Sequence, residues 1–567
     1  MGILRTLYSR TVPQANLIKV FLQTVSRLRH RPCFRYWENG CWRTISWLEA
    51  RDLVREIALG LKARGIEKGD RVAILSATRY EWTLCDLAIL SLGGVTVPIY
   101  PSVTAEQASF ILEDSGAKAV FVENRVQAKK IRFKEVILID SSLGELRQAG
   151  IDENEREWEK GISKIKPTEV ATIVYTSGTT GPPKGAVLTH GNFMAEVEAL
   201  TRVLDLCERH VGLLFLPLAH IFARVVQFWQ LRSGCIHAYG RGIETLMSDV
   251  QAVRPHFFAS VPRIFEKINE QVQAKLETGG RLRKTLLSTV GRGLVHRKIR
   301  SLFGRRLSRF NRFRFAISGG APLSKNLAEW FHRAGILILE GYGLTETTAG
   351  IFINSEKSYR FGTVGQSLHR VEKKIARDGE ILIRAPMIFQ GYYKKPKATA
   401  EVLTRDGWFR TGDIGELDRD GFLKITDRKK DIIVTSAGKN IAPQNIESHL
   451  KTSPYISQVM VHGDQRKYLT ALITLNRQAL EDLLWTESDR RNGSRQLACH
   501  PAVHKVIRGA IEEKNRSLAS YETIKKFAIL EREFTQEAGE ITPTLKLKRK
   551  FITQKYKDVI NGLYLTS

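Results

Sequence analysis

The sequence predicts an α/β protein with a large N-terminal layered α/β domain and a smaller α+β C-terminal domain. Helix and strand patterns alternate over residues 46–130 and resume after residue 170, which is typical of helices packed on a sheet. After about residue 360 short strands alternate with turns, which indicates a small β-rich subdomain. A chain of 567 residues exceeds what one hydrophobic core usually holds, so roughly two to four domains or subdomains are expected.

The N-terminal alternation begins with a strong helix signal. Ser46 and Glu49 form a capping-box pattern before the helix, and Gly65 is a candidate for its C-terminal cap. A helix is also predicted from Thr104. The segments that complete the alternation are RVAIL, YEWTLCDLAILSL, VTVPIY and AKAVFVE. This order predicts a largely parallel sheet covered by helices.

The second half of the large domain contains four candidates for buried strands. They are LLFLP, HFFASV, FRFAISGG and ILILEGYG. Several end in glycine-rich segments, GGAP and GYGLTET, which we interpret as backbone turns at strand ends, where open α/β sheets bind ligands. A change in pattern at DRKKD, residues 427–431, predicts a hinge between residues 1–429 and residues 430–567.

Composition limits the class of partner and compartment. The net charge of +29 favours contact with an anionic partner such as nucleic acid, lipid headgroups or an anionic ligand. Six scattered cysteines without a CxxC pair indicate a reducing compartment rather than a disulfide framework or structural zinc. Lys19 interrupts the apolar N-terminal stretch, so no secretory signal is expected. The uncharged stretch 87–105 is broken by glycines and prolines and is rejected as a membrane span.

The segment YTSGTTGPPKG, residues 175–185, has the composition of a phosphate-binding loop. A Walker P-loop requires Ser or Thr after its lysine and leads into a helix, whereas Lys184 is followed by Gly185 and a strand-like segment. The loop therefore joins strand to strand. A glycine- and proline-rich hairpin without a ligand would explain the glycines but not the crowding of hydroxyls and one lysine. Backbone N–H groups, hydroxyls and a point positive charge suit a polyphosphate.

This segment resembles the signature loop of the adenylate-forming (AMP-binding) superfamily, which includes acyl- and aryl-CoA synthetases, peptide-synthetase adenylation domains and beetle luciferase. The resemblance extends in order over residues 40–555. The other matching segments are LPLAHIFAR (216–224), VPRIFEKI (261–268), ISGGAPLS (317–324), EGYGLTET (340–347), the stretch 407–447 and TPTLKLKR (542–549). VPRIFEKI, ISGGAPLS and TSAGKNIAPQNIE look most like the long-chain fatty acyl-CoA synthetases.

The resemblance implies a role for each matched residue in binding ATP. Tyr342 is expected to stack on adenine, Asp413 to accept hydrogen bonds from the ribose hydroxyls, and Arg428 to contact ribose or phosphate. The full set implied for ATP binding is Thr176, Ser177, Gly178, Thr179, Thr180, Gly181, Lys184, Gly319, Gly320, Ala321, Gly341, Tyr342, Gly343, Asp413 and Arg428.

The residues implied for catalysis are Lys546, His220, Thr345 and Glu346. Lys546 matches the C-terminal lysine that reaches the reacting carboxylate and the α-phosphate, with Lys548 as the alternative register. Glu346 is implied as a ligand of Mg²⁺, which commonly takes one carboxylate together with phosphate oxygens and waters. A lone histidine after an apolar strand is more often a core residue, so His220 depends on its motif. Lys430 is implied as the hinge of a mobile C-terminal domain.

The resemblance implies ATP-dependent activation of a fatty acid to acyl-AMP and transfer to CoA, with ATP, Mg²⁺ and CoA required. Acyl-chain contacts are expected near residues 213–260, although the same apolar stripe suits an ordinary core; the candidates are Phe222, Val225, Val226, Phe228 and Trp229. One alternative is a fatty acyl-AMP ligase or acyl-carrier-protein synthetase. The other is a catalytically dead homologue that binds membranes or nucleic acid, which the intact ATP-binding residues disfavour.

Residues 281–314 contain 12 Lys and Arg and no acidic residue, interleaved with apolar side chains. One interpretation is an amphipathic helix whose basic face contacts an anionic membrane; the other is a solvated helical face. We expect a cytoplasmic protein with peripheral contact at the inner face of a membrane and no specific nucleic acid partner. A homodimer is compatible with the sequence, which does not decide the oligomeric state.

Overall fold

A computed structural model describes residues 15–151, 154–176, 183–277, 313–437, 439–484, 497–542 and 546–565. The first sheet has seven strands and a mainly parallel centre, as the sequence predicts. Across the sheet the strands are Gly391–Tyr392, Lys184–Thr189, Val170–Thr176, Val95–Ile99, Arg71–Leu75, Ala119–Val122 and Val136–Leu138. Its neighbouring helices are Trp47–Ala63, Tyr80–Ser91, Ala105–Ser115, Arg125–Ala128, Ile139–Gln148 and Glu155–Lys164.

The local signals at these helices are confirmed. Ser46 and Glu49 form the capping box of helix Trp47–Ala63, and Gly65 has a φ of 79° just beyond its C-terminus. The stretch rejected as a membrane span divides into the end of one helix and strand Val95–Ile99. Within the described ranges, no helix is both long and apolar enough to cross a bilayer.

A second sheet of nine strands faces the first and includes the four buried strands predicted from the sequence. Across the sheet the strands are Gln366–Ser367, Ala349–Ile353, Leu337–Leu344, Phe315–Ser318, Phe257–Ser260, Val211–Leu214, Ile236–Tyr239, Pro32–Glu38 and Cys41–Ser46. The helices outside it are Leu246–Val253, Pro262–Glu277 and Lys325–Arg333, whereas Leu17–Leu28 packs against helix Ile221–Ser233 on the other side.

Helices His190–Val203 and Ile221–Ser233 lie between the two sheets. Most residues of both helices are buried, which is typical of helices enclosed on several sides. Inside this layer Arg224 and Asp86 form a fully buried ion pair, and Arg224 also donates to Thr172 in the first sheet over 2.6 Å. The central layer therefore joins the sheets by apolar packing and by a satisfied buried charge pair.

The smaller units follow in the order predicted. A four-stranded antiparallel sheet forms the β-rich part, with helix Pro396–Val402 beside it; its strands are Glu372–Ile375, Glu380–Arg384, Phe409–Leu417 and Leu423–Arg428. Beyond it lies a two-stranded ribbon of Ile433–Val434 and Asn440–Ile441.

The C-terminal unit has its own hydrophobic core around a three-stranded sheet of Ile456–His462, Leu469–Leu475 and Ile524–Leu530. Its helices are Pro443–Leu450, Arg477–Leu484, Pro501–Asn515, Arg549–Lys555 and Lys557–Leu565. Short 3₁₀ helices occur at Thr345–Thr347, Leu497–Cys499 and Ser520–Glu522. The mixed α/β architecture with a large N-terminal and a smaller C-terminal unit confirms the predicted fold class.

Candidate active site

One cleft collects most of the residues singled out in the sequence. It lies where the second sheet, the β-rich sheet and the C-terminal unit meet. Its lining includes Thr176, Lys184, His220, Gly319, Gly320, Ala321, Gly341, Tyr342, Gly343, Thr345, Glu346, Asp413, Arg428, Lys430 and Lys546. Ser177, Gly178, Thr179, Thr180 and Gly181 fall outside the described residues, as do residues 281–312 of the basic segment.

The flanks of the phosphate-loop motif form the predicted strand-to-strand connection. Strands Val170–Thr176 and Lys184–Thr189 pair in antiparallel register, with Thr176 opposite Lys184. The Thr176 hydroxyl donates to the Lys184 carbonyl oxygen over 3.3 Å. The pairing fixes the two ends of the motif at the edge of the cleft, so the lysine enters it from a strand.

The two glycine-rich segments differ in structure. GGAP follows strand Phe315–Ser318 as a turn, with φ of 82° at Gly320, as predicted. In GYGLTET the predicted turn lies at the end of the segment: Gly341–Gly343 continue strand Leu337–Leu344, and the chain reverses at the 3₁₀ helix Thr345–Thr347 into an antiparallel hairpin. A Cβ atom on Gly343 would lie 1.4 Å from the carbonyl oxygen of Ala349. The glycine is needed for close approach of two strands, not for a turn.

The carboxylate of Asp413 contacts Tyr342 and Arg428, two other residues that the sequence predicted for ATP binding. Its side chain is nearly inaccessible, with 5% exposure. The Tyr342 hydroxyl donates to its Oδ2 over 2.7 Å, and Arg428 Nε lies 3.1 Å from its Oδ1. Asp413 and Arg428 are partners across adjacent strands of the β-rich sheet. The three side chains form one connected polar wall of the cleft.

His220 begins helix Ile221–Ser233, and its ring lines the cleft rather than only the core. Its Nδ1 accepts a hydrogen bond of 3.1 Å from the amide of Phe222. Burial, with a smaller contribution from Lys546, lowers the pKa of His220 to about 4. At neutral pH the ring is therefore uncharged, and since Nδ1 is the acceptor, Nε2 carries the proton. His220 is thus a neutral hydrogen-bond donor.

Lys546 enters the same cleft from the C-terminal unit, whereas Lys548 is not among its lining residues. Its backbone is fixed by hydrogen bonds with Thr542 in both directions, of 2.8 and 3.0 Å. Burial and the Arg428 guanidinium lower the pKa of Lys546 to about 8, against the opposing effect of nearby carboxylates. Of the two candidate lysines, Lys546 is therefore the one whose side chain lines the cleft.

Tyr392 is a site residue that the sequence did not reveal. Its hydroxyl donates to Glu346 Oε1 over 2.7 Å, and Lys184 Nζ lies 5.2 Å from the centre of its ring. Its short strand, Gly391–Tyr392, pairs with the strand that begins at Lys184. Its surrounding segment, GYYKKP, gives no indication of a contact with Glu346.

An apolar extension of the cleft runs along helix Ile221–Ser233. Phe222, Val225, Val226 and Trp229 recur at helical spacing on one face and line it. Phe228 is the exception among the predicted acyl contacts, since it packs against Phe193 with ring centres 5.4 Å apart. That position faces the neighbouring helix, so for Phe228 the alternative of an ordinary core residue applies.

The C-terminal unit contacts the large unit next to the cleft. Arg263 donates to the Ser457 hydroxyl over 2.9 Å, and Lys451 lies 3.5 Å from Glu266. On another side Gln536 donates to the Ser102 carbonyl oxygen over 2.7 Å. These contacts join the C-terminal unit, which carries Lys546, to the large unit. Arg263 and Glu266 lie in VPRIFEKI, to which the sequence assigned no role.

Comparison with known proteins agrees with this arrangement. The family model described as AMP-binding enzyme matches residues 21–393, and the AMP-binding enzyme C-terminal domain matches residues 430–567. The long-chain-fatty-acid–CoA ligase FadD15 of Mycobacterium tuberculosis is 37% identical over 563 residues, covering 93% of this chain and 93% of its own. The long-chain-fatty-acid–CoA ligase ACSBG2 of Gallus gallus is 29% identical, covering 96% of this chain and 81% of its own.

Among solved structures, the adenylation domain of a carboxylate reductase from Mycobacterium chelonae superimposes with a TM-score of 0.78 at 24% identity. The match covers 98% of this chain and 92% of that chain, and it shows a shared fold. The two family models, the extended identity to FadD15 and the shared fold lead to one conclusion: this chain belongs to the AMP-binding, adenylate-forming enzymes and resembles their long-chain acyl-CoA synthetases.

Proposed function

We propose that this protein is a long-chain fatty acid–CoA ligase that forms acyl-AMP and pyrophosphate from ATP and a fatty acid. It then transfers the acyl group to CoA, releasing AMP. The observation that carries the proposal is the convergence of Lys546, Asp413 and Arg428 in one cleft with an apolar extension beside it. A polar wall for a nucleotide and an apolar channel for a chain meet at the same place.

The chemistry follows from the charges that the reaction develops. Attack of a carboxylate on the α-phosphate brings two anions together and then expels pyrophosphate. Lys184 and Lys546 supply positive charge to the phosphates, while the neutral His220 donates from Nε2 without itself requiring a counter-charge. Asp413 is suited to accept from ribose hydroxyls because its carboxylate is already oriented by Tyr342 and Arg428.

Magnesium is part of the proposal through Glu346. One of its carboxylate oxygens accepts from Tyr392, and the side chain lines the cleft where the phosphates are expected. A single carboxylate fits the usual binding of Mg²⁺ through one protein ligand, phosphate oxygens and waters. When bound, the ion would neutralise phosphate charge. Tyr392 and Lys184 would orient Glu346 and balance the remaining charge.

The proposed domains are residues 1–429 and residues 430–567, with Lys430 as the hinge. In support, Lys430 lies in the short turn between strand Leu423–Arg428 and the ribbon that starts at Ile433, and the C-terminal unit has a separate core. The contacts at Arg263 and Gln536, together with the position of Lys546 in the cleft, support the proposal that this arrangement is the one for adenylation. Thioester formation is proposed to follow rotation of residues 430–567.

The test is a pyrophosphate-release assay with fatty acids of different chain length, with and without CoA, combined with mass-spectrometric detection of the products. The proposal expects pyrophosphate release that depends on ATP and a long-chain acid, and acyl-CoA as the final product. Accumulation of acyl-AMP with no acyl-CoA when CoA is present would favour a fatty acyl-AMP ligase. Absence of ATP turnover with every acid would contradict the proposed activity.

We also propose peripheral contact with anionic membranes through the basic segment 281–314. The support is its 12 cationic residues without an acid, each contributing about 1 kcal/mol near an anionic bilayer. Co-sedimentation with vesicles of anionic lipid should be strong at low salt and weak at high salt. Replacing Arg297, Arg300, Arg305 and Arg309 by Gln should weaken it without reducing turnover of a detergent-dispersed fatty acid. Wild-type protein that stays unbound at low salt would exclude membrane contact.

A further inference from the structure

A carboxyl group is buried in the apolar wall of the cleft. Glu196 lies on helix His190–Val203, has 0% exposure, and lines the cleft together with Leu200, Phe222 and Val226. Both of its carboxyl oxygens are inaccessible, and neither makes a hydrogen bond of good geometry within the described part of the chain, although the backbone amide of Gly350 lies close enough to interact weakly. The mechanism above makes no use of this residue.

The environment of Glu196 favours the neutral acid. Burial raises the pKa of Glu196 well above its usual range, although the nearby amide of Gly350 has the opposite effect. A protonated carboxyl has one O–H donor and one carbonyl acceptor, in contrast to a carboxylate, which only accepts. Glu196 therefore carries an adjacent donor and acceptor in the wall of the cavity, where the side chains that cover its carboxyl group would have to move for a ligand to reach it.

An unsatisfied carboxyl in an apolar wall lowers the stability of the folded protein. Packing does not require it, because a methionine of similar length would fill the same space without the cost of a buried polar group. Glu198, two residues along the same helix, is partly exposed and pairs with Arg202. Of these two neighbouring glutamates, Glu196 thus points inward and has no ion-pair partner among the described residues. Such departures from good packing are expected where a ligand supplies the missing partner.

We propose that Glu196 is a specificity-determining residue that binds a hydroxyl group carried on the acyl chain of the substrate. This rests on the proposed fatty acid ligase activity and specifies its substrate further. A hydroxyl both donates and accepts, so it satisfies both carboxyl oxygens. A keto oxygen only accepts and would leave the Glu196 carbonyl oxygen unpaired. An ionised group would bring an unbalanced charge into an apolar wall.

The location of Glu196 determines which carbon of the acyl chain must carry the hydroxyl group. A Cβ atom on Gly350 would lie 3.5 Å from Glu196 Oε1, and Gly350 pairs with Gly343 in the hairpin that leads to Thr345 and Glu346. One hairpin therefore links the expected place of the reacting carboxylate to Glu196. A chain whose carboxylate is in place for adenylation can bring only a narrow range of its carbons to Glu196.

The experiment compares kcat/KM for hexadecanoic acid with kcat/KM for each positional isomer of hydroxyhexadecanoic acid, measured by pyrophosphate release with ATP and CoA. One isomer, or two adjacent ones, should exceed hexadecanoic acid by about tenfold, the ratio expected when one hydrogen bond relieves a buried unsatisfied group. If no isomer exceeds the unsubstituted acid, the proposal is overturned. If no acid at all supports turnover, the proposed function fails instead.

Three variants separate recognition from packing. Glu196→Gln keeps a donor and an acceptor and should retain the preference for the hydroxy acid. Glu196→Met keeps the length and should lower the ratio of the two kcat/KM values by about tenfold. Glu198→Met, on the partly exposed face of the same helix, should leave the ratio unchanged. Thermal unfolding of each variant is measured without substrate to check that it folds. A folded Glu196→Met protein with the wild-type ratio would overturn the proposal, and the isomer series decides it if this variant does not fold.

Discussion

The hydroxyl of Tyr392 donates a hydrogen bond of 2.7 Å to Glu346, the carboxylate proposed to bind magnesium, while Lys184 lies over the same ring. One tyrosine thus connects the phosphate-loop lysine with the metal-binding glutamate. Tyr392→Phe keeps the ring beneath Lys184 and removes only the hydrogen bond. A hydrogen bond to a charged group contributes about 1.5–3 kcal/mol, so adenylation should fall by roughly tenfold or more. Pyrophosphate release as a function of Mg²⁺ concentration measures this.

A matched control is available at the next residue. Tyr393 is partly buried against another apolar cluster. Tyr393→Phe should leave both the rate and the magnesium dependence close to wild type. Equal effects of the two substitutions would show that the loss reflects the local fold rather than the orientation of Glu346.

Loss of the Lys546 side chain should slow adenylation, the first half-reaction, much more than acyl transfer to CoA, the second. Lys546→Ala removes charge that stabilises the transition state at the α-phosphate, so adenylation should fall by roughly 10²–10³. Formation of acyl-CoA from preformed acyl-adenylate should change far less, because Lys546 is expected to leave the cleft for that step. Lys548→Ala is the control. The assignment would be refuted by an equal loss in both half-reactions.

The lowered pKa of Lys546 gives a pH dependence with a defined sign. The protonated ammonium is the active form, and its pKa in the ligand-free protein is about 8. The kcat/KM for ATP, which reports the free enzyme, should therefore decrease as the pH rises through about 8. Bound phosphates favour the charged form, so the corresponding decrease in kcat should occur at higher pH. Lys546→Arg should remove the decrease in kcat/KM for ATP between pH 7 and 10, because arginine stays protonated there. Its persistence in that variant would exclude Lys546 as the titrating group.

The geometry at Asp413 predicts an effect on ATP binding. Asp413→Asn preserves the shape of the side chain but removes the charge opposite Arg428. Ribose contacts are made in the ground state and the transition state alike, so the KM for ATP should rise about tenfold while kcat changes little. Asp413→Ala should also lower stability, since it leaves a guanidinium without its ion-pair partner. An unchanged KM for ATP in the Asn variant would contradict the ribose role.

Local signals predicted much of this fold. The capping box at Ser46, the strand-to-strand connection before Lys184 and the turn at Gly320 each depend on residues close together in the chain. The contacts that complete the site could not be predicted in this way. Tyr392 reaches Glu346 only because its strand pairs with the one that follows the phosphate loop. Sheet order is a tertiary property, and no local pattern specifies it.

Two further differences between the sequence-based expectations and the structure also arise from tertiary contacts. The glycines of GYG suggest a turn because glycine tolerates many conformations, but here Gly343 serves the approach of two strands. Glu196 could have been noticed, since it lies three residues after Phe193 and four before Leu200, on the buried face of its helix. A single acid in such a stripe identifies an unusual position. Only the structure shows that it lines the cleft.

Two buried histidines predict a loss of stability in acid. Burial lowers the pKa values of His190 and His237 to about 3, against about 6.5 in the unfolded chain. Their contribution to stability is present above pH 6.5 and is lost as the pH falls towards 3, because only the unfolded chain takes up the protons. His237→Leu should therefore reduce the pH dependence of the unfolding free energy by about 1.4 kcal/mol per pH unit below pH 6. Urea unfolding at several pH values measures the slope, and exposed His369→Leu is the control. A wild-type slope in His237→Leu would contradict the prediction.

The contact between Gln536 and the Ser102 carbonyl oxygen allows a direct test of domain movement. Ser102→Cys and Gln536→Cys would be combined in a background in which the exposed Cys41 and Cys499 are replaced by Ser. A short, cleavable thiol cross-linker should then hold residues 430–567 with Lys546 in the cleft.

The cross-linked protein should still form acyl-AMP in a single turnover, because the arrangement for adenylation is preserved. Acyl-CoA formation should fall by about tenfold or more, since rotation of the C-terminal unit is blocked, and it should recover when the linker is cleaved. Each single-cysteine variant, treated with the same reagent, controls for modification alone. Full acyl-CoA synthesis by completely cross-linked protein would mean that both half-reactions occur in the arrangement described here, and a hinge at Lys430 would then have no role in catalysis.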